Sequence, residues 1–103
     1  MADKTYEVII VGGEPAGLTA GIYAARAGLK SIILEKGVFG GMITMAERVE
    51  NFPGFPEGIS GIDLGEKLRD QAAKFGLDIE STEVTRIDLS GGKKIVQIGR
   101  AHV

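Results

Sequence analysis

Residues 8–17 read Val-Ile-Ile-Val-Gly-Gly-Glu-Pro-Ala-Gly, and this stretch restricts the fold more than any other in the chain. The apolar, largely β-branched run over residues 6–11 predicts a strand buried on both faces of a parallel sheet. Gly12 and Gly13 then form a tight turn, and Pro15 suits the first turn of a helix because its missing N–H would have no partner there. Leu18, Ile22 and Leu29 recur near helical spacing, Arg26 lies close to the carboxyl end and Gly28 is the expected C-cap, so the helix ends near Ala27. The remaining helix positions are small: Ala16, Gly17, Ala20, Gly21, Ala24 and Ala25. Such a helix can lie unusually close to a sheet. Residues 31–34 give a second buried strand, completing a strand, helix, strand unit in roughly 30 residues.

A strand, a glycine turn and a helix in this order match the dinucleotide fingerprint G-x-G-x-x-G, which is followed by an acidic residue about 20 positions later. Gly12 makes the tight turn, Gly17 lets helix and strand pack closely, and Glu35, at the end of the second strand, is placed to accept hydrogen bonds from adenosine ribose hydroxyls. A plain βαβ turn that uses glycine only for geometry, with Glu35 a solvated strand end, is the competing reading. The middle glycine of the fingerprint is replaced by Glu14. Two like charges about 5 Å apart at an effective dielectric near 20 repel by roughly 3 kcal/mol, and a pyrophosphate offers two. An inward-pointing Glu14 therefore weakens binding strongly. If it turns to solvent, the amides at the helix amino terminus still favour an anion.

Residues 36–58 form a connection of about 20 residues, rich in Gly and Pro and longer than most structureless loops of compact domains, which marks it as functional or disordered. Ser60 followed by Asp63 resembles a capping box. Leu64, Leu68, Ala72 and Phe75 then trace the apolar face of a second helix that stops at Gly76. Leu77 and Ile79 begin a short strand, and residues 84–89 and 94–98 flank Ser90-Gly91-Gly92-Lys93 as a hairpin.

Composition narrows the function classes. The chain has 103 residues, room for one domain, and a net charge of -2, which offers no basic face for nucleic acid or anionic lipid. No apolar run is long enough for a membrane span and no leader is recognisable, so the cytoplasm is the expected compartment. Cysteine is absent, which removes disulfides, thiolate metal sites and redox-active thiol pairs from this chain. Sixteen glycines suit a loop-rich nucleotide site. His102, the single histidine, has no evident metal or nucleophile partner. The pairs Asp63 with Lys67 and Asp70 with Lys74 read as a solvated helix face.

The run over residues 8–29, apart from Glu14, closely resembles the thioredoxin reductase family. Gly40-Gly41-Met42-Ile43-Thr44 is similar to that family's Gly-Gly-Gln-Leu-Thr segment, and Val49-Glu50-Asn51-Phe52-Pro53-Gly54-Phe55 to its loop beside the flavin. The resemblance implies an α/β fold. It would be a Rossmann-like FAD/NAD(P)-binding βαβαβ unit with a parallel sheet plus an antiparallel hairpin, shorter than the complete domain, over residues 1–99, with residues 100–103 as a tail. It also implies FAD as cofactor. Gly12, Gly13, Glu14, Pro15, Ala16 and Gly17 would form the pyrophosphate loop, Glu35 and Lys36 would lie at the adenosine ribose, and Gly40, Gly41, Met42, Thr44 and Asn51 would approach the flavin. Met42 puts a thioether where the family has an amide.

Family members continue with another antiparallel strand, a parallel strand ending in Ala-Thr-Gly, an NADPH domain with a Cys-x-x-Cys pair, and a carboxyl-terminal segment that completes the FAD site. Without that parallel strand, one edge of the first strand would be unpaired and hidden by self-association or by a rearranged hairpin. Three readings remain open at this point: an FAD-binding portion of a flavin-dependent disulfide oxidoreductase, a non-catalytic folding unit altered at Glu14, and NAD binding at the same site. Glu35 disfavours NADP by repelling a 2′-phosphate.

Overall fold

The computed structural model describes residues 3–99. The tail assigned to residues 100–103, with His102, lies outside them. Along the chain run β1 (Val8–Val11), α1 (Pro15–Arg26), β2 (Ser31–Glu35), a 3-10 turn (Gly41–Met45), α2 (Gly61–Lys74), β3 (Asp78–Ser81), β4 (Glu83–Asp88) and β5 (Ile95–Gly99).

The first three strands make a parallel sheet in the order β1-β2-β3. Its register sets Ile10 beside Ile33 and Ile33 beside Ile79. These three isoleucines share a face of the sheet, and α1 and α2 cover it, because right-handed crossovers that advance in one direction put both helices on the same side. The core joins Leu18, Ile22 and Ala25 of α1, Ile33 of β2, Leu64, Leu68 and Ala72 of α2, and Leu77. Ser31 through Leu34 are buried throughout, as expected of a central strand.

The expectation of burial on both faces fails for the first strand. Val11 is 51% exposed, because β1 stands at the sheet edge and pairs with β2 alone among the described residues. The hairpin does not rearrange to cover that edge. It pairs internally as β4 and β5, with a bulge between Val84 and Arg86. It joins the body at the far end of β2, where the Thr82 N–H donates to the Glu35 carbonyl (3.0 Å). The radius of gyration of 14.7 Å exceeds the roughly 13 Å of a compact 100-residue domain, in keeping with a hairpin that stands away from the body. Its turn is tightened by the Asp88 carboxylate, which accepts from the Ser90 amide (2.9 Å) and hydroxyl (2.6 Å). These bonds, the hydroxyl first, hold Asp88 below the usual carboxylate range. At the opposite end of the sheet the Tyr6 hydroxyl donates to Asp78 (2.8 Å), which raises the Tyr6 pKa.

Both helices close on the same device. The Gly28 N–H donates to Ala25 and the Leu29 N–H to Ala24, while Gly76 and Leu77 donate to Ala73 and Ala72. Each pair is a Schellman cap around a left-handed glycine, with φ of 82° at Gly28 and 97° at Gly76. Leu29 thus falls beyond the helix, which ends near Ala27 as expected, and is 40% exposed, whereas Leu77 turns into the core. Ser60 caps α2 by accepting from the Asp63 amide (3.1 Å).

Residues 36–60 are not structureless. They contain the 3-10 turn and a bridge between Val49 and Ile59, and Phe39, Ile43, Phe52 and Phe55 pack against the core. Replacing Leu64, 1% exposed, by alanine should lower the unfolding free energy by about 2–5 kcal/mol. Urea denaturation followed by circular dichroism checks this, and an unchanged midpoint would contradict the core assignment.

Candidate functional site

The phosphate loop begins where β1 ends. The Gly12 N–H still donates to the Leu34 carbonyl (2.8 Å), but its φ of 107° turns the chain sharply, a geometry that favours glycine. A Cβ on Gly17 would overlap the Gly12 carbonyl oxygen. The first turn of α1 therefore lies directly against the loop. Four positions later a Cβ on Gly21 would stand 2.5 Å from the Leu77 side chain, so the glycine stripe continues the close approach into the core.

Glu14 is the N-cap of α1, and its side chain makes no capping hydrogen bond. Pro15 follows at the first helical position and has no N–H to offer. The amides of Ala16 and Gly17 consequently belong to the first turn, where no intrahelical acceptor exists, and the helix dipole adds positive potential. Glu14 instead reaches across to the 3-10 turn. Its Cδ and Oε1 lie 3.0 and 3.2 Å from the point where a Cβ on Gly41 would sit.

Glu35 couples the two loops. One carboxylate oxygen accepts from the Gly13 amide and the other from the Gly37 amide, each at 2.7 Å. These are short, charge-assisted bonds. A carboxylate has about four acceptor positions, so capacity remains for sugar hydroxyls. The Gly13 carbonyl in turn accepts from the Gly40 amide (2.8 Å). Gly13 also lies under the Phe39 ring, since a Cβ there would come within 2.6 Å of Phe39 Cδ1. The Arg69 guanidinium sits 5.0 Å from the centre of that ring, a cation–π contact.

The structure thus brings Gly12, Gly13, Glu14, Pro15, Ala16, Gly17, Glu35, Gly40 and Gly41 into one neighbourhood. Other positions are differently engaged. Lys36 lies 3.6 Å from Glu83 of the hairpin. The Thr44 hydroxyl donates to the Gly41 carbonyl (2.7 Å). Gly40 is buried against α2, a Cβ there falling 3.0 Å from the Gly65 Cα. Met42 is 77% exposed. Asn51 lines an open cleft of about 270 Å³ with Phe52, Pro53 and Phe55, whose two phenyl rings are 6.2 Å apart.

Sequence reasoning missed the Phe39–Arg69 contact and the seat of the 3-10 turn on α2. Only the spacing of Gly61 and Gly65 signals the latter. A Cβ on Gly61 would overlap the Ile43 carbonyl oxygen, and one on Gly65 would stand 2.9 Å from that of Phe39.

The family described as FAD dependent oxidoreductase matches residues 7–83. A thioredoxin reductase of Mycolicibacterium smegmatis is 46% identical over 98 residues, covering 95% of this chain and 32% of the relative. Among solved structures, a thioredoxin reductase from Gloeobacter violaceus superposes with a TM-score of 0.85 at 41% identity, over 90% of this chain and 29% of that one. The thioredoxin reductase of Giardia duodenalis gives 0.86 at 34% identity, over 94% and 31%. The chain thus spans about a third of the length of these relatives.

Exchange of Glu35 for alanine removes the acceptor of two loop amides. Hydrogen exchange at Gly13 and Gly37 should then accelerate by about tenfold or more, the equivalent of roughly 1.4 kcal/mol of lost local protection. Unaltered rates would deny the carboxylate its part in holding the loops.

Proposed function

The chain belongs to the FAD dependent oxidoreductase family and corresponds to an N-terminal segment of the thioredoxin reductases, and from that premise we propose that its phosphate loop and Glu35 hold the adenosine diphosphate part of FAD. The observation that carries this is the Glu35 carboxylate, fixed by two loop amides beside a helix terminus whose first turn lacks acceptors. The loop of Gly12, Gly13 and Gly17 fits the group. Gly12 takes a positive φ, and Cβ atoms on Gly13 and Gly17 would collide with Phe39 and with the Gly12 carbonyl. Glu35 would receive the ribose hydroxyls with Lys36 nearby, Ala16 and Gly17 would offer amides to the diphosphate, and Pro15 would fix the first turn. Gly40, Gly41, Met42, Thr44 and Asn51 would border the flavin. FAD, when bound, supplies hydride and electron transfer at its isoalloxazine ring.

As part of a thioredoxin reductase-like enzyme, this unit would hold the flavin that passes electrons to a disulfide. The chain contains no cysteine, so a dithiol step draws on residues outside it. The second reading, a folding unit impaired in dinucleotide binding, draws its support from Glu14 at the loop. No helix among the described residues is long and apolar enough to cross a membrane.

Titrating FAD with the purified chain should quench flavin fluorescence saturably, and Gly17→Ala should abolish the quenching. Absence of quenching by the unsubstituted chain would favour the second reading. The open edge of β1 further supports self-association by strand pairing. Sedimentation equilibrium should show a monomer–dimer equilibrium, and a monomer at every concentration tested would refute it.

A further inference from the structure

Glu14 lies at the one place where the loop departs from the fingerprint, and its side chain neither caps its helix nor pairs with a cation among the described residues. Two basic groups of the adjoining segments are otherwise engaged. Lys36 faces Glu83, and Arg69 stacks on Phe39. The carboxyl group is seated over Gly41, and the missing Cβ of Gly41 provides the space, since a Cβ there would overlap Glu14 Cγ. The negative charge therefore lies between the start of α1, whose N-cap is Glu14 itself, and the 3-10 turn at Gly41.

We propose that Glu14 is a specificity-determining residue that sets the phosphate loop against diphosphate-bearing ligands and leaves uncharged adenosine ligands unaffected. The inference rests on the dinucleotide reading of the site. The discrimination is electrostatic. It acts through the carboxylate charge rather than through side-chain volume, so it weakens as salt screens it. A role confined to loop structure would produce no such dependence on ionic strength.

The test titrates the 103-residue chain, Glu14→Gln and Glu14→Gly with FAD and with adenosine. Each is measured at about 0.01 M and about 0.15 M salt, where the screening length falls from roughly 30 to 8 Å. At low salt, Glu14→Gln and Glu14→Gly should both bind FAD more than about tenfold tighter than the unsubstituted chain. The gap should narrow at the higher salt. Adenosine affinities should agree within about twofold for all three proteins, because adenosine carries no phosphate charge for the carboxylate to repel. Equal FAD affinities would overturn the proposal and leave the flavin reading standing. A gain in Glu14→Gly without one in Glu14→Gln would overturn it in favour of volume, and so would an equal gain for adenosine in favour of general access. If none of the three binds FAD while circular dichroism shows each folded, the proposal and the flavin reading fall together.

Discussion

The contact between Gly17 and the Gly12 carbonyl sets the distance between the first helix and the first strand, and much of the molecule follows from that distance. With no side chain between them, α1 comes down against the strand ends, Gly21 reaches Leu77, and Leu18 and Ile22 enter the core beside Ile33. The same closeness puts the start of the helix, with its unaccepted amides and positive dipole end, at the mouth of the glycine turn. Fold and site therefore share one constraint. A larger residue at position 17 would push helix and loop apart together, because protein interiors have little free volume to absorb a displaced backbone.

Upon this frame the Glu35 carboxylate performs a second kind of work. Its two oxygens join the phosphate loop to the turn after β2 through Gly13 and Gly37, and Gly40 adds a backbone bond to Gly13. Two segments separate in sequence are thus drawn to one point. Such preorganisation reduces the ordering cost that a ligand would otherwise bear on binding. Glu14 opposes it. A chain that agrees with its fold at nearly every local level tends to break a rule where function or strain is concentrated, and here the break is one carboxylate at the N-cap of α1, seated over Gly41.

The sheet shows how neighbours determine what a strand becomes. β1 and β2 are both short apolar runs, yet one stands at an edge with Val11 half exposed and the other is buried throughout. The difference lies outside the strands themselves. Among the described residues β2 has partners on both sides and β1 on one. The hairpin likewise pairs within itself and meets the body where β2 ends.

Local chemistry carried most of the architecture. The glycine turn, Pro15, the Schellman glycines at 28 and 76 and the Ser60 cap each specify backbone geometry through near neighbours, and the helices, strands and hairpin were legible from them. Although the apolar spacing runs on to Leu29, Gly28 marked the end of the first helix near Ala27, where the structure has it. Of the site, the placement of Gly12, Gly17 and Glu35 was legible because it follows from fixed spacing around one turn. The order of residues 36–60 was not, since it comes from Phe39, Ile43 and Phe55 meeting α2, residues distant in the chain. What the sequence by itself determined was the βαβ unit and the identity of the loop groups, through short-range sterics and hydrogen bonding. Only the tertiary structure decided where Glu14 points, what Glu35 holds and which strand edge stays open, because each depends on segments that long-range packing alone brings together.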